Sequence, residues 1–176
     1  MASEFQRRKV AGVFAAMDVD KDGFLEKDDF EALAARWTGL RAWMQDSDEY
    51  HQMRETMLGW WKSVLNSSDK DHDHRVSLDE AILSVDRLAE SADVIGTANA
   101  MFDAIDENSD GKISEDEYRH VVTGWKGPEA DSSDIFHKLD LDGDGFITRD
   151  EFAIHWHEFW TGDDDSSPSQ FIFGLI

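Results

Sequence analysis

Apolar residues recur along this chain at helical spacing, in blocks cut by short polar stretches. Val10, Val13, Phe14 and Met17 share one face of a first helix, and Phe30, Leu33, Trp37, Leu40 and Met44 share one face of a second. Val94, Ala98, Met101, Phe102 and Ile105 make a later stripe, followed after a gap by Tyr118, Val121 and Val122. Ile135, Phe136 and Leu139 precede the last gap, and Phe152, Trp156, Phe159 and Trp160 follow it. An extended pair of helices, roughly 27–44 and 47–66, carries Trp37, Trp43, Trp60 and Trp61. The pattern predicts an all-α protein in which helices alternate with polar loops.

The gaps are themselves a repeat. DVDKDGFLEKDD (18–29), DKDHDHRVSLDE (69–80), DENSDGKISEDE (106–117) and DLDGDGFITRDE (140–151) each place oxygen-bearing side chains at positions 1, 3, 5 and 12. Calcium is a hard ion that takes six to eight oxygens at about 2.3–2.6 Å, and a 12-residue EF-hand loop offers them at this spacing. Position 7 contributes its backbone carbonyl, and position 9 often acts through a water. An apolar residue stands at position 8 in every loop (Leu25, Val76, Ile113, Ile147), where paired loops join through a short strand contact. The fold class follows: four EF-hand helix–loop–helix units in two pairs, expected to form one compact globule. The expected organisation is an N-terminal pair over 1–90, a C-terminal pair over 91–162, and a polar linker with an apolar tail over 163–176.

The candidate ligands differ between loops. The fourth has Asp140, Asp142, Asp144, the Phe146 carbonyl, Thr148 and Glu151; the third has Asp106, the neutral Asn108, Asp110, the Lys112 carbonyl, Ser114 and Glu117. The first offers Asp18, Asp20, Asp22, the Phe24 carbonyl and Glu26, but closes with Asp29, one methylene shorter than glutamate. That shortening handicaps bidentate closure and favours a six-coordinate ion, so magnesium is expected to compete there. The second keeps Asp69, Asp71, Asp73, the Arg75 carbonyl, Ser77 and Glu80, with His74 where the other loops have the turn glycine. Positive φ costs a non-glycine residue roughly 1–2 kcal/mol, about a tenfold loss of affinity rather than its abolition. Ser68 before this loop and Ala81 after it are also weaker core anchors than their counterparts. Three or four calcium ions are therefore expected. His72 and His74 should point outward, and the spacing suits calcium better than zinc.

Charge and composition narrow the function. The formal net charge is −22, with no cysteine, and 40% of residues are hydrophobic, including 11 Phe and 7 Trp. Such a chain repels nucleic acid and anionic membranes, can bury a core, and excludes thiolate chemistry. No apolar stretch approaches the roughly 20 residues that span a bilayer. The basic Arg7, Arg8 and Lys9 lead into an apolar run too short for a signal sequence, and Ala2 gives no myristoylation signal. A cytoplasmic monomer is expected. No nucleophile has a paired base and no glycine loop suits a phosphate, so no catalytic residue and no enzyme activity are expected.

The loops start at 18, 69, 106 and 140, so the first interval is the longest, and it holds the aromatic helix pair. With the opening FQRRKVAGVFAAMDVDKDGFLEKDDF and the closing EFWTGDDDSSPSQFIFGLI, this layout resembles the sarcoplasmic calcium-binding protein family over nearly the whole chain. That group includes calerythrin and calexcitin and is similar in fold to coelenterazine-binding proteins and photoproteins. The resemblance implies an intracellular calcium buffer with two halves sharing one core. Family members commonly lose one site, whereas ligands remain here in all four.

A calcium sensor acting on a target protein is the alternative, and it would need an adaptable, Met-rich groove. Of six Met, only Met101 lies beyond Met57, and the C-terminal half is lined by Phe, Trp and Ile. The tail FIFGLI is too apolar for water, so Phe171, Ile172, Phe173, Leu175 and Ile176 are expected to fold into the groove between helices. A coelenterazine-type binder is a more distant alternative: His155, Trp156, His157 and Trp160 invite it, but only Tyr50 and Tyr118 supply phenols.

Overall fold

The structure, a computed structural model, describes residues 3–40, 46–88, 93–126 and 132–174. The chain divides into two compact units, Met1–Glu90 and Ser91–Ile176. No helix among the described residues is long and apolar enough to cross a membrane.

In the first unit, α1 spans Glu4–Met17, α2 Lys27–Leu40, α3 Asp48–Ser68 and α4 Leu78–Leu88. Ser3 starts α1 with a reciprocal cap: its hydroxyl accepts from the Gln6 amide, and the Gln6 side chain accepts from the Ser3 amide. Met44 and the expected end of α2 lie outside the described residues. Helix α3 runs to Ser68, past the expected end at Asn66, because its serines do not break it. Ser67 bonds back to the Ser63 carbonyl at 2.8 Å, and buried Ser68 meets the Ser84 hydroxyl of α4 at 2.7 Å. In the first and third hands the places of Ser68 and Ser84 are held by apolar residues, Met17 with Leu33 and Ile105 with Val121. Phe30 of α2 packs against Trp60 and Trp61 of α3 with ring centroids 5.9 and 5.3 Å apart, and Leu33, Trp37 and Met57 complete a buried core. An Arg54–Glu31 ion pair covers its edge.

In the second unit, α5 spans Asp93–Ile105, α6 Glu115–Lys126, α7 Ser133–Leu139 and α8 Arg149–Thr161. Helices α5 and α8 pack through Phe102 and Phe152, 5.8 Å apart. Past Thr161 the chain crosses an exposed acidic stretch and forms a 3-10 turn, Pro168–Phe171, capped by Ser167. The tail then lies on the helices. Phe173 is 2% exposed, with its ring 5.0–6.3 Å from those of Trp125, Trp156, Phe159 and Trp160. Ile172 is buried as well, Phe171 half-buried, and Leu175 and Ile176 lie outside the described residues. Gly174 makes this approach possible, since it has a φ of +65° and an added Cβ would stand 2.8 Å from the Val122 side chain.

Within each unit the two loops pair through a two-residue antiparallel ladder. β1 (Phe24–Leu25) meets β2 (Val76–Ser77), with Leu25 opposite Val76; β3 (Lys112–Ile113) meets β4 (Ile147–Thr148), with Ile113 opposite Ile147. All four position 8 residues are buried, so each ladder pins its loops to the core beneath.

Candidate metal centres

Each loop begins where a helix runs out. The amides of Asp18, Asp69, Asp106 and Asp140 still bond back into the preceding helix, to Phe14, Leu65, Phe102 and Phe136, at 2.9–3.0 Å. Their carboxylates then organise the turn of the loop. One oxygen of each accepts from the position 6 amide: Gly23 at 3.0 Å, His74 at 3.2 Å, Gly111 at 2.9 Å and Gly145 at 2.8 Å. Position 3 accepts from the amide of position 5 (Asp22, Asp73, Asp110, Asp144), and position 5 from the amide of position 7 (Phe24, Arg75, Lys112, Phe146). The chain wraps around its own acids.

His74 adopts a φ of +66°, beside values of +82° to +89° for the three glycines. The turn therefore forms without glycine, at the cost of left-handed strain and the longest of the four position 6 bonds. A second left-handed position, position 4, is missed by sequence reasoning. Lys21, His72, Ser109 and Gly143 all have φ between +57° and +73°. Apart from Gly143, no residue type there announces a left-handed turn, and only comparison of the four repeats reveals it. His72 and His74 are exposed.

Position 12 closes each loop from the following helix. Asp29, Glu80, Glu117 and Glu151 take the amide of position 2 (Val19, Lys70, Glu107, Leu141) with one oxygen and that of position 9 (Glu26, Ser77, Ser114, Thr148) with the other, at 2.8–3.1 Å. Asp29 makes the same two bonds despite its missing methylene. Burial pushes the Asp29 carboxyl above the usual carboxylate range, helped by Asp20 and Asp18 and opposed by those amides. For Glu80 and Glu151 burial pushes the same way, but the Ser77 and Lys70 bonds, and those from Thr148, Leu141 and Asp142, outweigh it and hold the carboxyls low.

Oxygens of Asp18, Asp20 and Asp22 lie within 4.8 Å of one another, as do those of Asp69, Asp71 and Asp73, and those of Asp140, Asp142 and Glu151. In the third loop the Asn108 amide donates to Asp110 at 3.1 Å, relieving part of the like-charge crowding. Hard, anionic oxygens converging without a thiolate or imidazole among them suit a hard divalent cation. The other candidate ligands, the position 7 carbonyls of Phe24, Arg75, Lys112 and Phe146, belong to residues of the paired strands or of the turn just before them.

Position 7 also links the loops of each pair. The Arg75 guanidinium sits 4.2 Å from the Phe24 ring centroid, and the Lys112 ammonium 4.7 Å from that of Phe146. Each is a cation on one loop over an aromatic ring on its partner, worth about 0.5–1 kcal/mol where exposed. The strand register brings them together, which the single loops do not suggest.

An EF-hand domain pair model matches residues 97–156, and an EF hand model matches residues 10–34. The chain is 30% identical over 173 residues to the sarcoplasmic calcium-binding protein alpha-B and -A chains of Penaeus sp., covering 90% of each. It is 29% identical over 189 residues to the alpha chain from Penaeus vannamei, covering 100% of this chain and 98% of that one. Its fold is similar to the crystal structure of the coelenterazine-binding protein from Renilla muelleri in its calcium-loaded apo form, with a TM-score of 0.75, 24% identity, and 99% and 100% coverage. Four acidic loops of common geometry, together with the two EF-hand matches, identify a calcium-binding EF-hand protein, and the Penaeus likeness over nearly the whole chain shows that it belongs to the sarcoplasmic calcium-binding protein family.

Proposed function

We propose that this protein is a cytosolic calcium buffer rather than a sensor that regulates a target. The observation that carries this reading is the seat of Phe173. A sensor needs an apolar groove to offer when calcium arrives. Here the chain's own tail fills that groove, with Phe173 among Trp125, Trp156, Phe159 and Trp160. The same ring occupies the aromatic cluster that a coelenterazine-type ligand would need.

Three to four ions are bound, with positions 1, 3, 5, 7 and 12 of loops 18–29, 69–80, 106–117 and 140–151 as ligands and position 9 (Glu26, Ser77, Ser114, Thr148) supporting them. A bound calcium ion supplies the divalent charge that offsets the crowded carboxylates. Backbone amides within each loop orient the carboxylates at positions 1, 3 and 5. Magnesium competes first at the loop closed by Asp29.

Fluorescence of an apolar dye such as ANS, read in millimolar magnesium before and after saturating calcium, tests the reading. A low or falling signal is expected. A clear rise means that a groove opens, and the sensor reading replaces this one.

A further inference from the structure

We propose that His155 is a positioning residue for the fourth calcium site and makes the C-terminal tail a working part of that site. The inference rests on the reading of loop 140–151 as a calcium site and goes beyond it. His155 occupies the place in its hand held by Leu33 in the first, Ser84 in the second and Val121 in the third. Leu33 and Val121 simply pack, and Ser84 bonds to Ser68 across its own hand. His155 is 2% exposed, and a buried imidazole must satisfy two nitrogens.

Its partners come from two other elements. Nε2 lies 2.8 Å from the backbone carbonyl of Leu139, the last residue of α7. A carbonyl only accepts, so this nitrogen carries the proton. Nδ1 lies 2.8 Å from the hydroxyl of Ser169, in the 3-10 turn of the tail. That hydroxyl also approaches Glu158, one turn further along α8, at 2.6 Å, and its single proton serves either acceptor. Ser169 is 1% exposed. Helix α7, helix α8 and the tail therefore meet at one ring.

The location gives the contact its consequence. Leu139 immediately precedes Asp140, the first ligand. One helical turn before His155, Glu151 takes the amides of Leu141 at 2.9 Å and Asp142 at 3.3 Å. The ring and the carboxylate thus grip the same junction from the same face of α8, one on each side of Asp140. Fixing His155 fixes the placement of position 1, at the end of α7, relative to position 12, on α8. Ser169 fixes His155. Tail docking therefore raises calcium affinity at the fourth loop, and by linkage calcium at that loop tightens the docked tail.

The test uses the full chain and calcium alone, following the backbone amide resonances of Gly145 and Gly111 to read the fourth and third loops separately. Ser169→Ala is expected to weaken the Gly145 response about three- to tenfold, with a smaller change at Gly111. His155→Leu, which installs the residue of the first hand, is expected to do the same, and the double variant to be no worse than His155→Leu alone. Calcium is expected to slow proteolysis within 163–170 in the wild type and to lose that effect in both variants. Should His155→Leu fail to fold, Ser169→Ala still decides, because Ser169 lies in the 3-10 turn of the tail and not in α5–α8. Equal losses at both glycines, an additive double variant, or cleavage indifferent to calcium would overturn the coupling alone. A Gly145 resonance that ignores calcium in the wild type, or is unaffected by Asp140→Ala, overturns the assignment of the loop as a site and the coupling with it.

Discussion

The phenol of Tyr118 on α6 donates to the backbone carbonyl of Phe171 at 2.8 Å, joining the third hand to the tail across 53 residues of sequence. Tyr118 is buried, and burial pushes its ionisation far above the usual tyrosine range, so the donor keeps its proton at any physiological pH. The bond and the Phe173 ring hold the same short segment from two sides.

Loosening that segment exposes the aromatic groove. Tyr118→Phe is expected to cost about 1 kcal/mol, the worth of one intramolecular hydrogen bond, and to raise ANS fluorescence modestly. Deleting 171–176 is expected to raise it strongly. A truncated protein that binds no more dye than the full chain would mean that the tail does not cover the groove in solution.

His74→Gly removes the left-handed strain of the second loop while keeping every candidate ligand. Affinity at that loop is expected to tighten by about tenfold, from roughly 1–2 kcal/mol of relieved strain. Isothermal titration of the variant against wild type reads the change. Unaltered affinity would show that the Ser68–Ser84 contact, rather than the turn, limits the second hand.

Asp29→Glu restores the missing methylene at the close of the first loop. Asp29 holds the Val19 and Glu26 amides at 2.9 and 2.8 Å, the same two bonds that glutamate makes in the other loops. The glutamate is expected to raise selectivity for calcium over magnesium, measured by competition titration. Equal selectivity in the two proteins would refute the assignment of a magnesium-tolerant site.

Burial lowers the affinity of His155 for a proton, against the opposing pull of the Leu139 carbonyl, Glu158 and Glu151. Its folded-state pKa lies below the unfolded value of about 6.5, so below that pH the unfolded chain binds more protons. Stability is therefore expected to be fully present above about pH 6.5 and to be lost as pH falls through the folded-state pKa. Chemical denaturation of the metal-free protein across this range measures the slope, and His155→Leu should flatten it. A variant with the wild-type slope would assign the titration to another group.

Much of the candidate site was legible in the sequence because an EF-hand loop is a local device. Its ligands lie within twelve residues, and the flanking helices declare themselves by spacing. Asp140 through Glu151 can be read in order, and so can the pairing of Ile113 with Ile147, since position 8 recurs in each repeat. The irregularity of the second hand is visible too, as His74 and Ser68 break the repeat at identifiable places. What the chain does at Ser68 was less legible: a serine beside a loop suggests a poor anchor, whereas the structure gives it a hydroxyl partner at Ser84.

The sequence by itself determined the four loops, their candidate ligands, the helices around them and the ladder between paired loops. Each of these depends on residues close in the chain or on a repeat that can be superposed on itself. Only the tertiary structure decided that Arg75 covers Phe24, that Tyr118 holds Phe171, and that His155 joins Leu139 to Ser169. An apolar tail advertises that it must be buried, because water rejects it, but not which aromatic rings receive it. A buried histidine in a helical stripe looks like any core residue until two other elements bring a carbonyl and a hydroxyl to its nitrogens. Those meetings depend on how helices pack across long stretches of chain, and no local periodicity encodes that geometry.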